Sequence, residues 1–200
     1  MTMERIIDAD ELKEKFGKGK VAIAGLGGIG SNIAVMLARS GVGKLLLADF
    51  DRVEESNLNR QYYDRSHIGM MKTDALKAQI NKMNPSVDVE THTVKITEEN
   101  VRDIFGDYPI VCEAFDDPQC KAILVNALLD GKRKIVAASG MAGFGSANKI
   151  KTKHTFKDMY ICGDSEPSVP GGSFMAPRVA VCAGHQANMV LRLLLNIEEE

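Results

Sequence analysis

The stretch "KVAIAGLGGIGSNIAVMLARSGVGKLLLADF", residues 20–50, constrains the fold more than any other part of the chain. A short apolar run, Val21 to Ala24, breaks into the glycines of "GLGGIG", Gly25 to Gly30, and from Ile29 onward Ile33, Met36 and Leu37 recur at helical spacing. Gly41 and Gly43 stop that helix, and "KLLLADF" reads as a second buried strand. Strand, glycine turn, helix and strand make one right-handed βαβ unit.

The alternation continues. The pattern predicts a helix from about Met71 to Met83, ended by Asn84-Pro85, and then a strand in "VDVETHTV". Thr97 is the expected N-cap of a short helix carrying Val101, Ile104 and Phe105. "PIVCEAF" is another buried strand, Asp117 is placed to cap a helix from Pro118 to about Leu129, and "KIVAAS" is a further strand. "GMAGFGSANKI" and "GDSEPSVPGG" read as irregular, before Pro177 opens a closing helix to about Leu195. This order predicts a single α/β domain, a Rossmann-like, mostly parallel sheet with helices on both faces and its ligand beyond the carboxyl ends of the strands. Two hundred residues, 44% hydrophobic, suffice for one sizeable core.

Charge and cysteine usage exclude several function classes. Twenty-five Lys and Arg against 27 Asp and Glu leave a net charge of −2, without the basic excess of a nucleic-acid surface. The charged start "MTMERIIDADELKEKFGKGK" lacks an apolar signal core, and no run reaches the roughly 18 apolar residues of a membrane span. A cytoplasmic protein without a membrane partner is the expectation. Cys112, Cys120, Cys162 and Cys182 form no C-x-x-C pair, and His67, His92, His154 and His185 have no metal spacing, so neither a disulfide framework nor structural zinc is expected.

The chemistry concentrates at strand ends. Gly25, Gly27, Gly28 and Gly30 let backbone amides approach a phosphate at the positive end of the following helix. Asp49, closing the second strand, can accept ribose hydroxyls. To this point NAD and ATP fit equally. The stretch "DFDRVEESNLNRQYY" separates them, because a nicotinamide site gains nothing from Asn57, Arg60, Gln61 and the downstream Lys72. A nucleotidyl-transfer site does gain: Arg60 as a fork and Lys72 as a point charge meet the charge that builds as pyrophosphate leaves. An NAD-dependent oxidoreductase and a non-catalytic carrier-binding scaffold are the competing readings.

"GLGGIGSNIAVMLARSGVGKLLLADFDRVEESNLNRQ" and "HIGMMKTDALKAQINKMNP", with "EAFDDPQCK" and the last helix, resemble the ubiquitin-activating-enzyme-like adenylyltransferases of bacteria, ThiF and MoeB, and most of all a short ThiF. The resemblance implies that the glycine loop and Asp49 hold ATP. It implies further that Asn57, Arg60 and Lys72 contact its phosphates, with Asp51, Ser56 and Gln61 in the same binding motif. Arg60, Lys72 and Asp116 become the catalytic residues, and Asp116 the Mg²⁺ residue. Residues 1–20 would then be an N-terminal segment, 21–138 the nucleotide-binding core, and 139–200 a crossover loop and closing helix.

The implied reaction is adenylylation of the C-terminal glycine carboxylate of a ThiS-like sulfur carrier protein in thiamine thiazole synthesis. A molybdopterin-synthase-type carrier is the alternative, and a modified-tRNA carboxylate is disfavoured by the acidic charge. The family pairs its subunits, and the small residues Ala180, Ala183, Gly184 and Ala187 of the last helix suit a close homodimer contact. The carrier's tail would lie beneath "GDSEPSVPGGSF", with Pro170-Gly171-Gly172 as its turn. The chain departs from the family in three places. It lacks the two C-x-x-C pairs of relatives, it has only Arg5 near its amino terminus for the arginine that reaches a neighbouring subunit's ATP, and it carries Asp116-Asp117 where relatives have Asp-Asn. Some relatives link a loop cysteine to the carrier, and Cys162, read as the start of a loop, is the one candidate here.

Overall fold

The structure, a computed structural model, describes residues 7–156, 158–166 and 173–199. In chain order these form α1 (Ala9–Gly17), β1 (Lys20–Ala24), α2 (Gly28–Arg39), β2 (Lys44–Ala48), α3 (Lys72–Met83), β3 (Asp88–His92), α4 (Val101–Phe105) and β4 (Ile110–Glu113). There follow α5 (Pro118–Leu128), β5 (Lys134–Ala138), β6 (Lys151–Phe156), β7 (Met159–Gly163) and α6 (Ala176–Leu194). The strands make one seven-stranded sheet in the order β3-β2-β1-β4-β5-β7-β6. Every neighbouring pair is parallel except β6 with β7.

Alternation within the strands sets the layers. Val21, Ile23, Leu45, Leu47, Cys112 and Val136 point to one face and pack with α2, α3 and α6. Ala22, Ala24, Leu46, Ala48, Val111 and Ile135 point to the other, where Val101 and Phe105 of α4 and Leu124 and Leu128 of α5 cover them. With both faces covered the inner strands are apolar throughout, which is why they were legible as continuous hydrophobic runs.

α5 starts as its sequence dictates. Asp117 is the N-cap, its side chain accepts the Gln119 amide at 2.8 Å, and Pro118 occupies the first turn, where its missing N–H costs nothing. Asp117→Ala is expected to lower the unfolding free energy by about 1 kcal/mol, measured by urea titration. Thr97 is not the cap of α4. Asn100 holds that position without a side-chain bond into the helix, and its carboxamide oxygen accepts the Thr97 amide at 2.9 Å instead.

Three elements departed from expectation. α1 buries none of its residues, so no apolar stripe announced it. It begins at Asp8, which accepts the Glu11 amide at 2.8 Å. β6 and β7 do not show as strands in the sequence: five of six residues in "KTKHTF" are exposed, as befits an edge strand, and the buried "MYICG" of β7 is a short run between two irregular stretches. The β6–β7 register carries an irregularity between His154 and Phe156. Among the described residues no helix is long and apolar enough to cross a membrane.

At the other sheet edge Glu90 accepts Lys44 at 2.8 Å, His92 at 3.0 Å and the Tyr108 hydroxyl at 2.9 Å. The Lys44 bond above all, then those from His92 and Tyr108, pulls the Glu90 carboxyl from 4.5 down to about 2. A depressed folded-state value stabilises the fold above pH 4.5, and that contribution is lost as pH falls toward 2. Glu90→Gln should therefore flatten the acid limb of a Tm-against-pH profile in this window. Superimposable limbs would dismiss the network as a source of stability.

Candidate functional site

Strand order reverses between β1 and β4, and the loops leaving those two strands meet at this switch point. Gly25 leaves β1 with φ +89°, and a Cβ there would lie 2.8 Å from the Ala114 carbonyl oxygen. A Cβ at Gly30 would lie 1.8 Å from the Gly25 carbonyl oxygen, so the protein's own backbone demands both glycines. Gly27 differs. A Cβ there meets only Gln61 Nε2, at 3.9 Å, an ordinary contact, so the protein's own backbone does not demand this glycine. Gly27 is also the N-cap of α2, which has no side-chain cap, so the positive helix end is left for an anion.

Asp49 organises this loop. Its buried carboxylate accepts the Leu26 amide at 2.6 Å through one oxygen and the Asp51 amide at 2.7 Å through the other. Burial raises the Asp49 carboxyl above its ordinary value, with Lys72 and the two amides opposing. The residue read from sequence as a ribose acceptor thus already binds the glycine loop to the end of β2. Asp51 reaches the Lys72 ammonium at 2.7 Å, and the Lys72 side chain is 7% exposed.

The next residues shape a turn that presents Arg60. The Asn57 side chain is buried and accepts the Glu54 amide at 3.1 Å, while exposed Ser56 sits 3.3 Å from the Glu54 carboxylate. The Arg60 guanidinium donates to Ser56 O at 3.1 Å and Asn59 Oδ1 at 2.8 Å, and its carbon lies 5.5 Å from the Phe174 ring centre. The stem of Arg60 lies beside the glycine loop, its Cγ 3.5 Å from where a Gly28 Cβ would be. Gln61 is buried beside Gly27, and its amide oxygen has no hydrogen-bond partner among the described residues. A buried acceptor left unpaired costs about 1–3 kcal/mol.

Sequence reasoning missed the residues that bind this turn to the loop. Ser31 donates to Gly27 O at 2.6 Å and accepts the Tyr62 amide at 3.0 Å, Asn32 bridges Gly28 O at 2.7 Å and Arg60 O at 3.1 Å, and Tyr63 donates to Leu26 O at 3.0 Å. Their positions in "GSNIAV" and "RQYY" look like ordinary helix and turn, and only the fold brings residues so far apart in sequence into contact.

From β4, Asp116 emerges exposed, and its carboxylate has no hydrogen bond or ion pair among the described residues. The capping is done by Asp117. No group of three or more His, Cys, Asp and Glu able to hold a metal occurs among the described residues. Arg5 and the Pro170-Gly171-Gly172 turn lie outside them.

Cys162 corrects its reading. It lies within β7, fully buried, and burial pushes its thiol up to about 11. A thiol so placed is neither exposed nor ionised at neutral pH. Cys112 and Cys182 are also fully buried, and Cys120 is 7% exposed. Native protein should react slowly with a thiol reagent, and Cys162→Ala should keep catalytic turnover within a few-fold, whereas rapid labelling of Cys162 would restore the relay. Of the four small residues in α6, Ala183 and Ala187 are buried within the subunit, where α6 packs on α2. The expected dimer contact therefore loses half of its residues.

Known proteins share this fold. The chain is 29% identical over 191 residues to "Adenylyltransferase and sulfurtransferase UBA4" of Kluyveromyces lactis, covering 92% of this chain and 43% of that protein. The corresponding protein of Saccharomyces cerevisiae strain RM11-1a is 30% identical over the same length and with the same coverage. The chain thus spans less than half the length of these curated relatives. Among solved structures, Escherichia coli tRNA N6-threonylcarbamoyladenosine dehydratase, TcdA, in complex with ATP superimposes with a TM-score of 0.86 at 23% identity, covering 94% of this chain and 90% of that one. E. coli MccB with MccA-N7isoASN superimposes with a TM-score of 0.76 at 21% identity, covering 94% and 60%. The model of the ThiF family matches residues 2–200, and the chain belongs to that family.

Proposed function

We propose that this protein adenylylates the C-terminal glycine carboxylate of a small ubiquitin-like sulfur carrier protein at the expense of ATP. The observation that carries the reading is the uncapped end of α2, with the Arg60 stem beside the glycine loop, Lys72 paired to Asp51 and the buried Gln61 side chain against Gly27. Membership of the ThiF family and the adenylyltransferase named among the relatives support the same chemistry.

In this reaction a carboxylate oxygen of the carrier attacks the α-phosphorus, an acyl-adenylate forms, and the bond to the β-phosphate breaks with its electron pair leaving on pyrophosphate. The protein's part is positional and electrostatic. The glycine loop, held by Asp49, receives the phosphates. Arg60 exchanges its neutral partners Ser56 O and Asn59 Oδ1 for phosphate oxygens, a stronger charge-assisted pair. Lys72, now shared with Asp51, adds a fixed positive charge. Asp116, an exposed carboxylate without a hydrogen bond or ion pair among the described residues, would hold Mg²⁺. Bound there, Mg²⁺ would neutralise charge on the triphosphate.

Within this reading we assign the carrier as ThiS-like, serving thiamine thiazole synthesis, on the strength of the motif's resemblance to a short ThiF, and the working unit as a homodimer. Sedimentation at micromolar concentration tests the dimer, and a monomer alone would remove it. The reaction is tested by incubating the protein with MgATP, labelled pyrophosphate and one candidate carrier at a time. Exchange with the ThiS-like carrier supports the whole assignment. Exchange with a molybdopterin-synthase-type carrier keeps the chemistry and replaces the pathway. NADH binding without any exchange would sink the reading.

A further inference from the structure

β4 ends on Glu113, a carboxylate with no solvent exposure. A buried carboxylate is unfavourable unless fully partnered, and each of its oxygens is. One accepts the Phe115 amide at 2.8 Å, and the other accepts the Lys121 ammonium of α5 at 2.6 Å. Lys121 also donates to the carbonyl of Ala138, the last residue of β5, at 3.2 Å. From α6 the Gln186 amide donates to Glu113 O at 3.3 Å and Val136 O at 3.0 Å. One ion pair thus joins the ends of β4 and β5, the start of α5 and the turn 114–117.

That turn is where the two halves of the site meet. Ala114 donates its amide to Ala24 O at 2.9 Å, a Cβ at Gly25 would lie 2.8 Å from the Ala114 carbonyl oxygen, and one at Gly30 would lie 3.3 Å from the Ala114 Cβ. Asp116 stands two residues further on. Stability alone does not call for such a pair, because well-packed apolar residues of similar volume often replace a buried ion pair without loss. An apolar pair has no means to accept the Phe115 amide or donate to Ala138 O, so it leaves the backbone of the turn undirected.

We propose that Glu113 and Lys121 are positioning residues whose ion pair sets the 114–117 turn and thereby holds Asp116 in register with the glycine loop. The proposal rests on the adenylylation reading for the role of Asp116. Its test combines amide hydrogen exchange of the apo protein with kinetics of the full chain, for Lys121→Met, Lys121→Arg and the double variant Glu113→Leu with Lys121→Met. Lys121→Met should accelerate exchange in residues 25–30 and 114–117 together. It should also lower kcat by about 10-fold to 10²-fold, the scale of a misplaced catalytic group, and raise the Mg²⁺ concentration for half-activity more than the KM for ATP. Lys121→Arg should restore both readouts to within a few-fold. The double variant removes the charge that Lys121→Met leaves buried and unpaired, so it should be more stable than Lys121→Met and yet be as slow.

A double variant with wild-type Tm and wild-type kcat would overturn the proposal. So would a Lys121→Met protein that loses stability while the two loops keep their protection and their Mg²⁺ dependence. If the double variant fails to fold, the Met and Arg comparison decides alone. Absence of carrier-dependent activity in the wild type would strike the functional reading, whereas the hydrogen-exchange arm would still decide whether this pair sets both loops.

Discussion

Asp116→Asn is expected to reduce carrier-dependent ATP–pyrophosphate exchange by about 10²-fold or more, the scale of removing one preorganised electrostatic group, while ATP binding changes little. The substitution keeps shape and removes charge. Asp116 is exposed and makes no hydrogen bond or ion pair among the described residues, so its loss costs the fold little. The competing role, a cap for α5, belongs to Asp117, which accepts the Gln119 amide. Asparagine would serve as well in a cap, and this makes the experiment decisive. Exchange within a few-fold of wild type, at unchanged Tm, would take Asp116 out of the chemistry.

Gly30→Ala is expected to abolish nucleotide binding and to destabilise the fold by about 3 kcal/mol or more, the upper end for forcing atoms into packed space. A Cβ there would lie 1.8 Å from the Gly25 carbonyl oxygen and 2.9 Å from its carbon, and neither is the flexible end of a side chain. Relief requires the loop to move off α2. The same movement breaks the bond between Asp49 and the Leu26 amide and shifts Gly27 away from Gln61. Gly27→Ala is the control, since its Cβ meets only Gln61 Nε2 at 3.9 Å. It should fold normally and lose affinity for ATP. A Gly30→Ala protein with wild-type Tm and ATP affinity would show that the loop is not built as described.

The carboxyl-terminal ends of β1 and β4 illustrate what a chain reveals before it folds. Gly25 to Gly30, the apolar runs around it and the Asp117-Pro118 helix start carry their meaning locally: a positive φ, a period of two or 3.6, a side-chain oxygen one turn from an amide. They were legible for that reason, and with them the parallel α/β architecture. α1 and β6 bury little, so no period marked them, and β7 went unread beside a loop although its strand places Cys162 in the core.

The amino-acid sequence by itself thus determined the central strands, their covering helices and the list of residues at the strand ends. Tertiary structure decided what those residues do for one another. Asp49 holds Leu26 and Asp51, Ser31, Asn32 and Tyr63 join the glycine loop to the Arg60 turn, and Glu113 reaches Lys121 and, through it, Ala138. Most of these bonds span from 8 to 37 positions, and the partner of a buried polar group at such separation follows from strand order and helix placement, which no local pattern encodes.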